Sequence, residues 1–425
     1  MKLLSQFVSP EIGPALRWSR RVTGKAAADV AGKLVALGVT LAAARTLPGD
    51  AFGALALATT WGWLAGVATD AGWSMYLVRE VARRPAAARA LAADVLRRRG
   101  LAAVGAAAIT AAGATAVLAP AIAGGFALVV AAQLAGAVLD TAMHLFRGLE
   151  RTDVEARLHA AQRLSAGALA GLALAWRPSL DALGLALALP PLVALACAAG
   201  LARRLTAPVG AGEAITPLGW SRVGTEVWPL GLGALVSALY FRCDVFFVEH
   251  WHGLDAVGAY NAAFRLVDAI RLVPAAVLAV TFPTLVRAHD RSAVTRLAVP
   301  LLAAGVAAGG ALAVGAPAVL ALAYGPRFAA ATSALQLLGC AVPLFFLNYA
   351  LTHQVIGWNG QRTYLQVSLA ALAVNVVANL ALVPAYGGSG AAVATGLTEV
   401  AVTAGCLPAL ARHVPVTAPA PGSAV

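Results

Sequence analysis

The sequence predicts an all-α integral membrane protein of about 12 transmembrane helices, arranged as two six-helix bundles related by a pseudo-two-fold axis along the membrane normal. Three observations carry that expectation. Of 425 residues, 60% are hydrophobic and only 12% charged, with a mean hydropathy of +0.79, whereas a soluble chain carries roughly 25% charge. The charged residues cluster between apolar stretches of about 20 residues, the length that crosses about 30 Å of hydrocarbon at 1.5 Å per residue. A short motif also recurs half a chain apart. The first observation excludes a soluble enzyme, and the absence of strict apolar–polar alternation excludes a membrane β-barrel.

The elements follow in order. A basic segment, 1–25, precedes an apolar stretch at 26–46 that contains Asp29 and Lys33, and many more spans follow, so it is expected as a retained first span rather than a cleaved signal. Stretches at 51–73, 100–119, 122–143, 160–176 and 181–201 complete an N-terminal bundle, 26–201. Segment 202–225, with Pro208, Gly210, Gly212 and Pro217, is the expected cytoplasmic linker. Stretches at 226–248, 256–283, 297–323, 329–355, 363–383 and 389–411 form a C-terminal bundle, 226–411. The Pro-rich tail, 412–425, is expected to be disordered. Pro229, Pro274, Pro283, Pro343 and Pro384 are expected to kink their helices.

Orientation comes from the basic residues. Of 31 Lys and Arg, only Arg45, Arg177 and Arg327 fall in loops on one side, and Lys33, Arg242, Arg265 and Arg271 fall within helices. The rest lie on the opposite side, which places both termini in the cytoplasm. The net charge of +12 is therefore a matter of topology, and no nucleic-acid partner is expected. Asp50-Ala51-Phe52-Gly53-Ala54 and Asp255-Ala256-Val257-Gly258-Ala259 occupy equivalent places in the two halves. Cys197, Cys243, Cys340 and Cys406 all lie in apolar segments, where core packing is expected rather than disulfides or zinc.

Charges inside membrane helices cost about 2.5–3.5 kcal/mol each and mark substrate paths by default. Asn261, Arg265, Asp268 and Arg271, spaced by four, three and three, share one helix face. Either Asp268 neutralises one arginine and the stripe locks packing, or the stripe faces water; in both cases one guanidinium is left to fork onto phosphate oxygens. Arg242 and Asp244, two apart, cannot pair along a helix, and Arg242 either finds a partner elsewhere or snorkels to the interface. Asp29 and Lys33, four apart, are an ion pair or a site. Asp70, Asp140 and Glu399 are further intramembrane carboxylates able to carry a coupling proton. His250 and His252 lack a third ligand at fixed spacing, so no metal is expected and they read as a solvated loop. No nucleophile elbow, phosphate-binding loop or nucleotide-hydrolysing domain appears, so no catalysis and no cofactor are expected.

Tyr240-Phe241-Arg242-Cys243-Asp244, the run from Asp255 to Leu266, Phe282-Pro283-Thr284-Leu285, Tyr324-Gly325-Pro326-Arg327-Phe328, and the run from Pro384 to Thr395 after Asn375 and Asn379 together resemble the bacterial polysaccharide (O-antigen) repeat-unit flippases, as does Ala44 to Gly53. These Wzx-like proteins share a superfamily with multidrug and toxic compound exporters and lipid II flippases. The resemblance implies an undecaprenyl-pyrophosphate-linked oligosaccharide moved across the bacterial inner (plasma) membrane by alternating access through a cationic central cavity. On that reading the intramembrane cations Arg265, Arg271, Arg242 and Lys33 are the expected pyrophosphate contacts. Asp268, Asn261, Asp244, Asp29, Asp70 and Glu399 are then supporting or ion-coupling groups, with H+ or Na+ as coupling ion and membrane lipids and a polysaccharide polymerase as partners. A cation-coupled drug exporter of the same fold and a lipid II flippase are the alternatives; the exporter's cavity should be acidic or apolar.

Overall fold

The computed structural model describes residues 30–206, 223–225, 227–287, 291–358 and 360–412. Every regular element among them is helical. Helix α1 (30–46) leads into α2 (Gly49–Asp70). Ala71 and Gly72 then take positive φ, 45° and 99°, and the chain restarts as α3 (Trp73–Arg83), so the stretch expected at 51–73 ends early. Helices α4 (Ala88–Val117), α5 (Pro120–Gly148), α6 (Thr152–Trp176) and α7 (Leu180–Leu205) follow. Ser179 caps α7 by accepting the Ala182 N–H at 3.2 Å.

From Trp228 onward come α8 (Trp228–Arg242), α9 (Asp244–Ile270), α10 (Leu272–Arg287), α11 (Arg291–Tyr324), α12 (Thr332–Gly357) and α13 (Gln361–Arg412). Two of these elements fold back on themselves. In α9, Gly253 has φ 74° and ψ −176°. A straight helix would separate residues 16 apart by about 24 Å, yet the Tyr260 hydroxyl donates to the Asp244 carboxylate. In α13, Gly387 has φ 54° and ψ −133°, and a Cβ on Gly390 would lie 2.5 Å from the Leu382 carbonyl oxygen. Both turns fall on glycine because L side chains resist these angles.

Among the described residues, eight helical stretches are long and apolar enough to cross a membrane, the longest being Gly231–Leu278 and Gln361–Ala411, which contain the two reversals. The protein is a multi-pass membrane protein. One basic patch, between the stretches Gly49–Asp70 and Pro85–Val117, is organised by a carboxylate. Glu80 of α3 meets Arg79, Arg83 and Arg84 at 3.3, 3.4 and 2.5 Å. Burial works to raise the Glu80 carboxyl pKa, but the hydrogen bond and charge of Arg84, with Arg79 and Arg83, outweigh it and hold the value below 4.5.

The chain divides into two compact units, Met1–Thr46 with Trp61–Leu232, and Leu47–Thr60 with Gly233–Val425. Within lipid, helices associate through close van der Waals contact rather than water exclusion, and small residues permit it. In the first unit, Gly62 and Gly66 of α2 face Gln133 and Ala137 of α5. In the second, Gly305 and Gly309 of α11 press on Pro343 and Gly339 of α12; a Cβ on Gly309 would sit 2.3 Å from the Gly339 carbonyl oxygen. The two copies of the repeated motif also meet inside this unit. A Cβ on Gly53 would reach 1.8 Å from the Leu254 carbonyl oxygen, and one on Gly258 would lie 3.3 Å from the Gly53 nitrogen.

Several expectations need correction. The helix expected from 100 begins at Ala88, which draws Arg97, Arg98 and Arg99 out of a loop and into α4. The helix expected over 226–248 is interrupted at Cys243, and that expected over 256–283 is interrupted at Arg271. His250 and His252 are exposed but helical residues beside the Gly253 turn rather than loop residues, and His252 Nε2 lies 2.8 Å from the Val383 carbonyl oxygen. All four cysteines are free, but Cys197 and Cys340 are exposed on their helices rather than packed inside. The N-terminal segment and the tail after Arg412 lie outside the described residues.

Candidate cationic site

The site is built in the second unit, where the Gly253 reversal brings both arms of α9 and the end of α8 together. Arg242, 5% exposed, donates from one nitrogen, Nη2, to the Thr60 hydroxyl at 3.1 Å and to Asn261 Oδ1 at 2.9 Å. Its guanidinium lies 4.4 Å from the Phe264 ring centroid. The alternative that Arg242 snorkels to the interface does not hold, because its partners draw it inward. Asp244, also buried, accepts from Tyr260 and from the Val245 N–H at 2.9 Å, and lies within electrostatic range of Arg242.

Four residues expected on one face follow that phase to the end of α9. Asn261 holds Arg242, and Asp268 takes Arg271 at 3.3 Å, while Arg271 caps the helix. Aromatic rings enclose Arg271, with the centroids of Phe241, Phe345 and Tyr349 at 4.2, 4.7 and 5.8 Å from its guanidinium carbon. Such contacts contribute up to about 2 kcal/mol when desolvated, which offsets part of the burial cost.

Arg265 is the exception. Among the described residues it makes no hydrogen bond and no ion pair, and its Nε is buried without a partner. It lies within electrostatic range of Arg242, Asp268 and Tyr324. The Tyr324 hydroxyl, Arg242 Nη1 and Arg271 Nε are likewise buried without partners. Buried polar groups are satisfied in nine cases out of ten or more, so these four orphaned donors stand out in the second unit. A phosphate or pyrophosphate oxygen cluster fits that donor set.

Of the remaining expected residues, Glu399 is buried near Arg271, and its carboxylate accepts from Asn348 Nδ2 at 2.7 Å. Asp70 belongs to the first unit. It accepts from Ser74 Oγ at 2.5 Å and Thr141 Oγ1 at 3.3 Å, and lies 3.7 Å from Arg99 Nε. Arg99, 1% exposed, also donates to the Gly66 carbonyl at 2.8 Å and to Thr69. Lys33 is exposed on α1, and Asp29 lies outside the described residues. Sequence reasoning missed Arg99, Thr60 and Tyr324 as functional candidates. Tyr324 had a signal, since it opens the Tyr-Gly-Pro-Arg-Phe run; Thr60 had none. Among the described residues, no three His, Cys, Asp or Glu are grouped to hold a metal.

A family described as polysaccharide biosynthesis protein matches residues 22–289, more than half of the chain. No curated protein matches. Among solved structures, an outward-facing multidrug resistance MATE family transporter of the MOP superfamily is 14% identical at a TM-score of 0.67, covering 93% of this chain and 95% of its own. An inward closed lipid II flippase, MurJ, is 11% identical at 0.68, covering 90% and 86%. A MOP superfamily transporter from Pyrococcus furiosus, for which a binding pocket of reversed polarity suggests a different function, is 15% identical at 0.65, covering 93% and 95%. At these identities the likeness concerns the fold.

Proposed function

Because the chain belongs to the polysaccharide biosynthesis protein family, we propose that it is a flippase moving an undecaprenyl-pyrophosphate-linked oligosaccharide from the inner to the outer leaflet of the bacterial inner membrane. The observation that carries the reading is Arg265, a guanidinium kept inside a membrane protein with no hydrogen bond or ion pair among the described residues and only Asp268 within electrostatic range as an opposite charge. A pyrophosphate crossing hydrocarbon alone loses its hydration, and the donors of Arg265, Arg271, Arg242 and Tyr324 replace that water. The prenyl tail stays in lipid while the sugars follow the charge.

In this account two six-helix bundles, 26–201 and 226–411, joined by 202–225 and with both termini in the cytoplasm, open a cationic central cavity alternately to each side. Lys33 guides the headgroup. H+ or Na+ binding at one of Asp244, Asp268, Asp70, Asp29 or Glu399 couples the cycle to an ion gradient, and Asn261 holds Arg242 in place. No covalent bond is made or broken, and a polysaccharide polymerase takes the product.

A cation-coupled exporter shares the fold, but its cationic substrates would meet four like-charged or donor groups. A lipid II flippase would need the same pyrophosphate chemistry with a different saccharide. The test is competition binding on the purified protein, with a polyprenyl pyrophosphate set against a lipophilic cation such as ethidium. Saturable binding of the pyrophosphate that ethidium does not displace supports the flippase; tight ethidium binding with none for the pyrophosphate supports the exporter.

A further inference from the structure

Resting on the reading above, we infer that Glu399 of α13 is the proton-binding group of the anion site, so that a proton and the pyrophosphate are taken up together. The site's own charges balance. Three guanidiniums, Arg242, Arg265 and Arg271, and three carboxylates, Asp244, Asp268 and Glu399, form one electrostatically linked set in the second unit: Arg242 with Asp244 and Arg265, Arg265 with Asp268, and Arg271 with Asp268 and Glu399. With all six ionised their sum is zero, and a neutral site offers a dianion no net charge in exchange for its lost hydration. One proton on one carboxylate makes the set cationic.

The carboxylate that takes the proton is the one held least firmly as an anion. Asp244 accepts from Tyr260 and from the Val245 N–H and has Arg242 beside it. Asp268 pairs with Arg271 at 3.3 Å. Glu399, 5% exposed, forms no ion pair among the described residues, and its carboxylate accepts from a neutral amide, Asn348 Nδ2. Hydrogen bonds and cations favour the charged form of a carboxyl group, and Glu399 has the fewest of them. The groups that face it are Asn348 from α12, Tyr240 from α8, Arg271 from the end of α9, and Thr403 and Cys406 on its own helix. Among these Arg271 is the cation. One face of α12 ties the two together: Phe345, Asn348 and Tyr349 are three and four apart, the two rings lie over the Arg271 guanidinium, and Asn348 between them holds Glu399. Ionised, Glu399 competes with an incoming phosphate for Arg271. Protonated from solvent, it leaves that guanidinium to the ligand, and by reciprocity the bound anion raises the affinity for the proton. No covalent bond of the ligand changes.

The experiment measures binding of a short-chain polyprenyl-pyrophosphoryl-N-acetylglucosamine to the full chain in nanodiscs between about pH 8 and pH 5.5, the range in which buried carboxyl groups titrate. The probe is a pyrophosphate diester, so its own charge stays constant. Wild type is expected to bind about tenfold more tightly at the acid end and to take up a proton on binding, read as a binding heat that varies with the ionisation enthalpy of the buffer. Glu399→Gln should bind at the alkaline end as tightly as wild type does in acid, with the pH dependence and the proton uptake lost. A Glu399→Gln protein that keeps the wild-type pH profile overturns the inference; if His353→Gln then removes the profile, the imidazole stacked on Tyr349 is the proton site instead. Weaker binding by Glu399→Gln at every pH also overturns it and makes Glu399 a support for α12. Wild-type binding that takes up no proton yet is lost in Arg265→Ala leaves the anion site standing and removes the proton site, a result that needs no Glu399 variant to fold. Absence of binding to the diester at every pH removes both.

Discussion

Arg265→Met removes the charge of an orphaned side chain while keeping its length. Because the guanidinium has no hydrogen-bond or ion-pair partner among the described residues, the folded protein loses no such bond. It sheds a cation whose place in a membrane helix costs about 2.5–3.5 kcal/mol. Thermal stability of the purified protein should therefore hold or rise. Affinity for a polyprenyl pyrophosphate should move the other way: losing one charge-assisted contact, about 1.5–3 kcal/mol, weakens binding about 10- to 150-fold. Arg242→Met is the contrast. Its hydrogen bonds to Thr60 and Asn261 disappear and Asp244 loses the cation beside it, so stability should fall by about 2–4 kcal/mol. Thermal unfolding in detergent, paired with lipid-binding titrations, reads both quantities. Arg265→Met melting as early as Arg242→Met, with affinity intact, would show that Arg265 is a packing residue and refute the reasoning.

Other outcomes follow from the same geometry. Gly309→Val should destabilise the protein by about 1–3 kcal/mol in thermal unfolding, because a Cβ there meets the Gly339 carbonyl at 2.3 Å. Arg99→Ala should cost about 2 kcal/mol or more by leaving Asp70 and the Gly66 carbonyl without their cation, and adding Asp70→Asn should recover part of the loss in the same assay. Glu80 has a folded pKa below its unfolded value, so its contribution is present above about pH 4.5 and is lost as pH falls through the folded pKa. A pH series of melting temperatures should show an acid limb that Glu80→Gln flattens, with wild type and variant converging in acid.

The all-helical class and the run of apolar spans were legible because charge exclusion from hydrocarbon acts on composition directly. The stripe on α9 was legible because helical phase depends only on spacing. Which arginine it leaves unpaired was not, since that depends on Asp268 choosing Arg271 and on aromatic rings from α8 and α12, distant in sequence. Arg99 was misplaced for a related reason. Three consecutive arginines read as a loop, yet α4 starts at Ala88 and one arginine turns inward to Asp70 while its neighbours stay with Asp94. Thr60 sits in an apolar run with nothing local to distinguish it, and becomes a partner of Arg242 only through the fold. The Gly253 and Gly387 reversals depend on backbone angles that glycine permits but does not announce.

The central claim is best tested by reconstituting the purified protein in proteoliposomes loaded with a polyprenyl-pyrophosphate-linked oligosaccharide and following its appearance in the opposite leaflet with an impermeant reagent. Wild type should flip the lipid, and Arg265→Ala and Arg271→Ala at matched incorporation should abolish or sharply slow it. Wild-type flipping left unchanged in both variants would contradict the account.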